Sequence, residues 1–150
     1  MSVNLNNQEN YLLSNELVIN INKMFKYIVE SEGVEDSNVN LKFISSDEMK
    51  ILNNFHRGIH KDTNVLSFEN QDLSRTHTNN IGDIAISYPY VENEAYDLKK
   101  DIDDHILHMF THGMLHILGF DHENDKEADN MELKEIEFLS KFNIINPYIL

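Results

Sequence analysis

Five of the eight histidines lie between residues 105 and 122, and three of them have the spacing of metal ligands in the run HGMLHILGFDH, His112 to His122. His112 and His116 are four apart on a predicted helix, so at 3.6 residues per turn their imidazoles stand nearly one above the other. Gly119 is placed to end that helix and double the chain back, which lets His122 supply a third nitrogen from the turn. Three neutral nitrogens without a thiolate suit zinc, with nickel, copper or iron as chemically acceptable occupants. Three protein ligands leave a fourth position open, the pattern of a catalytic rather than a structural site. Asp121 is placed either to accept the free ring N–H of a ligand, fixing its tautomer, or to serve as an ordinary turn aspartate. His108 and His105 lie one and two turns before His112 on the same face. They read as solvated or hydrogen-bonded helix histidines, with contact to a ligand or substrate as the alternative.

The elements that must hold this cluster are legible in outline. Ile102 to Leu118 is apolar at helical spacing through Ile106, Met109, Phe110 and Leu115. Asp125 is expected to cap a last helix carrying Met131, Ile136 and Leu139. Upstream, Glu16 to Ile28 reads as a helix with Leu17, Ile19, Ile21, Met24, Phe25 and Ile28 mostly on one face. Residues 3–5, Val39 to Ile44, Val65 to Phe68 and Ile81 to Ser87 read as strands. Ser46 is expected to cap a short helix through Ile51 and Leu52, and Asn54 to Asp62 reads as an irregular basic loop. Glu69 to Asn80 reads as a polar loop with Arg75 in solvent. Pro89 marks a turn out of the last strand, followed by a short helix around Val91 to Lys99. Strands in the first half with helices before and after predict an α+β fold: a small mixed sheet of about four strands covered by helices, with the metal site on the C-terminal helical half.

The chain has 150 residues, which suits a single domain over 1–150 with its own core. No repeat or linker-like stretch divides it. Cysteine is absent, which excludes disulfides, thiolate metal sites and cysteine nucleophiles and fits a reducing, cytoplasmic location. No apolar run is long enough to span a membrane, and the polar start shows no signal peptide. A formal net charge of −14, from 26 acids against 12 bases, argues against broad non-specific nucleic-acid binding but leaves room for a small local basic site.

The spacing HxxxHxxGxxH is shared with metzincin-type metalloproteases, which carry a glutamate directly after the first histidine as general base. Gly113 stands there in this chain. A peptidase would need its base from elsewhere. The same run closely resembles the YbeY family signature HGxLHLxGYDH, with Ile117 for Leu and Phe120 for Tyr. The likeness continues in RGIHKDTNVLSF, Arg57 to Phe68, in GDIAIS, Gly82 to Ser87, and in Met131 and Glu135 of the last helix. Two positions depart from the family pattern: Asn64 stands where Asp is usual, and Glu69 where Pro is common.

The resemblance implies a compact α+β metalloprotein with one zinc per chain on His112, His116 and His122. It implies a single-strand-specific endoribonuclease acting in maturation of the 3′ end of small-subunit (16S) ribosomal RNA and in ribosome quality control. The partners it implies are single-stranded rRNA, small-subunit ribosomal proteins and an Era-type GTPase. Phosphodiester cleavage builds negative charge on the non-bridging oxygens, which a guanidinium meets with two parallel N–H bonds. Arg57, one of two arginines, is therefore the candidate clamp on the scissile phosphate, with Arg57, His60 and Lys61 as substrate contacts and Arg57 and Asp121 as catalytic candidates. Pairing of Arg57 with a surface acid is the alternative. Two other functions remain: a non-catalytic ribosome-assembly factor with a structural zinc, marked by a fourth ligand from Asp121 or His108, and a metzincin-like hydrolase, marked by a carboxylate near the metal and a cleft not lined by Arg57 and Lys61.

Overall fold

The computed structural model describes residues 2–70 and 79–149. The expected solvent position of Arg75 lies outside them. The fold is α+β. Its strands are β1 (Ser2–Asn6), β2 (Asn38–Ile44), β3 (Val65–Glu69) and β4 (Asn80–Ser87). Its helices are α1 (Asn15–Ser31), α2 (Ser46–Arg57), α3 (Tyr88–Asp97), α4 (Ile102–Ile117) and α5 (Asp125–Ser140). The sheet order is β1-β2-β4-β3. β1 and β4 each run parallel to β2, and β3 runs antiparallel to β4.

Alternation along β2 and β4 sorts the side chains onto two faces. Val39, Leu41, Phe43, Ile84 and Ile86 join α1, α4 and α5 in the main core, while Ile44, Leu66 and Ala85 pack under Met49 of α2 on the other side. Each fully buried Leu, Ile or Phe contributes roughly 1.5–3 kcal/mol, so these layers fix where α4 lies. α4 is the central helix: eleven of its residues are buried, and it is apolar nearly all round. The Asp101 side chain caps its start by accepting the Asp104 N–H at 3.1 Å. At its end the Gly119 N–H bonds the His116 carbonyl and the Phe120 N–H bonds the Leu115 carbonyl, each at 3.0 Å. This paired closure requires a left-handed residue, and Gly119 takes φ +99°.

Several expectations are corrected. α2 takes in the first part of the stretch read as a loop, Asn54 to Arg57, so Arg57 is its last residue rather than a loop residue. Gly58 at φ +71° stops it, and the Asn53 amide donates to the Lys61 carbonyl at 2.9 Å, tying the following segment back. The caps shift by one residue: Ser45 rather than Ser46 caps α2, and Asn124 rather than Asp125 caps α5. Pro89 does not end a turn but sits in the first turn of α3, where its missing N–H costs nothing. Ile19 is exposed, and α5 turns Glu135, not Ile136, fully inward beside Met131, Phe138 and Leu139.

Candidate metal centre

His112 and His116 project from the last two turns of α4, and His122 returns from the turn beyond Gly119. One ring nitrogen from each lies within 4.8 Å of the others. Nε2 of His112 and Nε2 of His116 are 3.1 Å apart. Two nitrogens bound at ~2.0–2.1 Å to one tetrahedral ion would lie about 3.3 Å apart, so the pair is set for a shared cation. No carboxylate or further imidazole of the described residues joins this group.

Glu135 of α5 organises the cluster from beneath. Its Oε1 accepts the Nδ1–H of His112 in a short contact, and its Oε2 receives His108 Nε2 at 3.2 Å and the Tyr148 hydroxyl. With the His112 proton committed to Nδ1, its Nε2 lone pair faces Nε2 of His116. Two lone pairs across 3.1 Å repel unless a cation or a proton lies between them. The donor set therefore fits a divalent metal, with Glu135 as the carboxylate that fixes a ligand's tautomer. Burial by itself would raise the Glu135 pKa. The hydrogen bonds from His108 and His112, the His112 charge and the Tyr148 bond outweigh it and hold the carboxyl down at about 2. Burial, with the neighbouring His112 and His122, lowers the His116 pKa and favours the neutral ring that binds metal.

The three histidines floor a cleft of about 450 Å³ whose walls include Arg57, Asn64, Ser67 and Glu69. Arg57 is exposed, and no carboxylate of the described residues is paired with it. His60 and Lys61 are exposed beyond the cleft wall. Asp121 uses Oδ1 to accept the His122 backbone N–H at 2.7 Å, and the ring Nδ1 of His122 stands 3.9 Å from it, beyond a hydrogen bond. His105 and His108 are buried hydrogen-bonded histidines. The first meets Glu94 at 2.6 Å and the second meets Glu135. The Glu94 carboxyl is held below its ordinary range chiefly by the His105 bond. Asn64 donates its amide to Glu94 at 3.2 Å and accepts the Val65 N–H at 2.7 Å, so its side chain braces α3 and the entry to β3.

A family model described as Endoribonuclease YbeY matches residues 3–143. The chain belongs to the YbeY family. It is 45% identical over 115 residues to the Endoribonuclease YbeY of Francisella tularensis subsp. holarctica, covering 74% of this chain and 71% of that one. It is 43% identical over 110 residues to the Endoribonuclease YbeY of Alteromonas mediterranea, covering 73% and 70%. The solution structure of TM1509 from Thermotoga maritima superposes with a TM-score of 0.65 at 26% identity over the whole of both chains. In this YbeY chain the departure at Asn64 meets a carboxylate: an aspartate there would face Glu94, whereas the amide donates to it. Glu135 bonds His112 and His108 and receives the Tyr148 hydroxyl, and sequence reading gave neither Glu135 nor Tyr148 a role. Glu135 had a signal: it shares the buried stripe Met131–Glu135–Phe138, where an acid needs a partner. Tyr148 had none, since nothing in its spacing relates it to His112.

Proposed function

We propose that this YbeY-family chain is a zinc-dependent endoribonuclease that cuts single-stranded RNA, with small-subunit rRNA near its 3′ end as substrate. The observation that carries the reading is the convergence of three histidine nitrogens in a cleft also lined by Arg57, which is paired with no carboxylate among the described residues. A zinc ion on His112, His116 and His122 supplies Lewis-acid polarisation of a phosphoryl oxygen. Arg57, on a rigid helix end, donates two N–H groups to the non-bridging oxygens and holds the phosphate over the histidines. Glu135 keeps the His112 proton on Nδ1, and the buried helix α4 keeps His112 and His116 in register. The histidines and Arg57 line one cleft of about 450 Å³, which suits a single strand whose phosphate can reach the histidines. Small-subunit ribosomal proteins and an Era-type GTPase then deliver the rRNA to a chain whose own surface repels it.

The test is elemental analysis of tag-free protein, run with a His112→Ala/His116→Ala variant, followed by cleavage assays on single-stranded rRNA fragments. One zinc per chain, lost together with cleavage in the variant, supports the proposal. Zinc bound without RNA cleavage points to an assembly factor or to a hydrolase with another substrate, and among the described residues no fourth ligand joins the three histidines.

A further inference from the structure

Residues 143–149 cross back over the helices after α5, and one atom of this segment reaches the buried support of the metal centre. Asn143 at φ +61° reverses the chain, and the Ile144 N–H bonds the Leu139 carbonyl at 3.2 Å. Lys100 Nζ donates to the Pro147 carbonyl at 3.3 Å, and Asn146 Oδ1 accepts the Tyr148 N–H at 2.9 Å. Much of the segment is solvent-facing, with Ile145 and Ile149 exposed. Tyr148 is itself partly exposed, yet its ring stands edge-on to His108 with centroids 5.7 Å apart and its hydroxyl donates to Oε2 of fully buried Glu135.

We propose that Tyr148 is a positioning residue that sets the metal affinity of the three-histidine site through Glu135. This inference rests on the metal-site reading above. A carboxylate has two equivalent oxygens and can turn about its last torsion, so its orientation is set by its donors. Here Tyr148 and His108 hold Oε2, which leaves Oε1 to His112. Without the hydroxyl, one donor to a fully buried carboxylate is lost. The carboxylate is then free to share His108 and His112 between its oxygens, and the His112 ring loses its fixed tautomer and aim. Partners of metal-ligating histidines govern affinity in this way, with changes of about 10–100-fold on removal. The segment that carries Tyr148 is anchored by Ile144 against the core, while Ile145 and Ile149 are exposed. Its docking and the site's grip on metal are thereby coupled.

The experiment titrates metal-free protein with zinc against a chromogenic chelator at fixed pH, for wild type, His112→Ala, Tyr148→Phe, Glu135→Gln and the Tyr148→Phe/Glu135→Gln pair. Tyr148→Phe keeps the ring against His108 and removes only the hydroxyl. Zinc affinity is expected to fall about tenfold in Tyr148→Phe. In the Glu135→Gln background the same substitution is expected to have no further effect, since its route is gone. Wild-type affinity in Tyr148→Phe overturns the proposal. So does a loss that adds in full on top of Glu135→Gln, which would mark Tyr148 as a general packing residue. Failure of the underlying metal reading looks different: wild type and His112→Ala would then bind zinc equally, or neither would bind it.

Discussion

At the scale of single residues, the proposed function divides the groups around the cleft into those that would face substrate and those that hold the three histidines. Arg57 is of the first kind. It is unpaired among the described residues and touches no core, so Arg57→Ala should leave folding and zinc content unchanged while slowing RNA cleavage by about 10²–10³-fold, the usual loss when one donor to a developing oxyanion is removed. Arg57→Lys should recover only part of the rate, because a point charge lacks the bidentate fork. A zinc-loaded Arg57→Ala protein cleaving at the wild-type rate would end this assignment. Glu135 is of the second kind, and its depressed pKa makes a stability prediction. A carboxyl held at about 2 in the folded chain, against an ordinary 4.5, stabilises the fold above pH 4.5 and loses that contribution as pH falls toward 2. His108 acts in the same direction at higher pH: burial lowers its pKa, so the unfolded chain takes up a proton first and stability declines as pH falls below 6.5. Metal-free wild type should therefore melt above Glu135→Gln at neutral pH, with the gap narrowing from pH 4.5 downward. A gap independent of pH would contradict the charged form of Glu135. The convergence of the three histidines was legible in sequence because an i, i+4 pair followed by a helix-stopping glycine is a local pattern. Their carboxylate support was not, because it joins residues 23 positions apart on different helices.

At the scale of elements, the site depends on how closely α4 approaches the sheet, and two glycines set that distance. A Cβ on Gly82 of β4 would lie 2.5 Å from the Phe68 carbonyl oxygen of β3 and 2.9 Å from Ile117 of α4. The first neighbour is backbone and cannot swing away. Gly82→Ala should cost about 2–3 kcal/mol and, by pushing β3 and the end of α4 apart, weaken zinc binding as well. Denaturant unfolding of the metal-free protein and a zinc titration check the two effects, and a variant as stable as wild type would show that the strands can part without strain. Gly113 makes the same point about function. Its position faces Ile84, whose side-chain carbons would lie 3.2–3.4 Å from an added Cβ. The place where a metzincin-type protease carries its base is here turned to the sheet, so Gly113→Glu would bury a carboxylate against Ile84 rather than supply a base. The order of elements was readable from hydrophobic period, and α4 was read nearly to its ends. The extension of α2 through Arg57 was not, because Asn54 to Arg57 offers no apolar face: Phe55 is 91% exposed. Gly58 and the Asn53–Lys61 bond decide that end. Nor does any strand's alternation say that β4 inserts between β2 and β3, since that placement is a property of the packed sheet.

At the scale of the whole molecule, a net charge of −14 must coexist with a polyanionic substrate. At physiological ionic strength the field of exposed charges fades over about 8 Å, so a strand seated on Arg57 and the metal feels the cleft more than the far surface. Two consequences follow for affinity. Few phosphates are neutralised, so few counterions are released. For single strands the slope of log K against log salt is about −0.7 per phosphate contacted, so one or two contacts give a slope of about −0.7 to −1.4. The acidic surface flattens it further, because lowering the salt lengthens the repulsion along with the attraction. Glu69 adds a local share, since it is a carboxylate on the cleft wall itself. Glu69→Gln should therefore tighten single-stranded RNA binding and lower KM more than it changes kcat, with the gain largest at low salt. Duplex RNA, whose phosphates are held in a stiff A-form helix and cannot be splayed singly toward the histidines, should bind more weakly than a single strand. Fluorescence anisotropy with labelled single- and double-stranded RNA of one sequence across a salt series tests all of this. A steep slope, or nanomolar binding to the duplex, would mean that the chain presents a broad basic surface which its composition and its cleft do not provide, and the proposal that partner proteins deliver the RNA would fall with it.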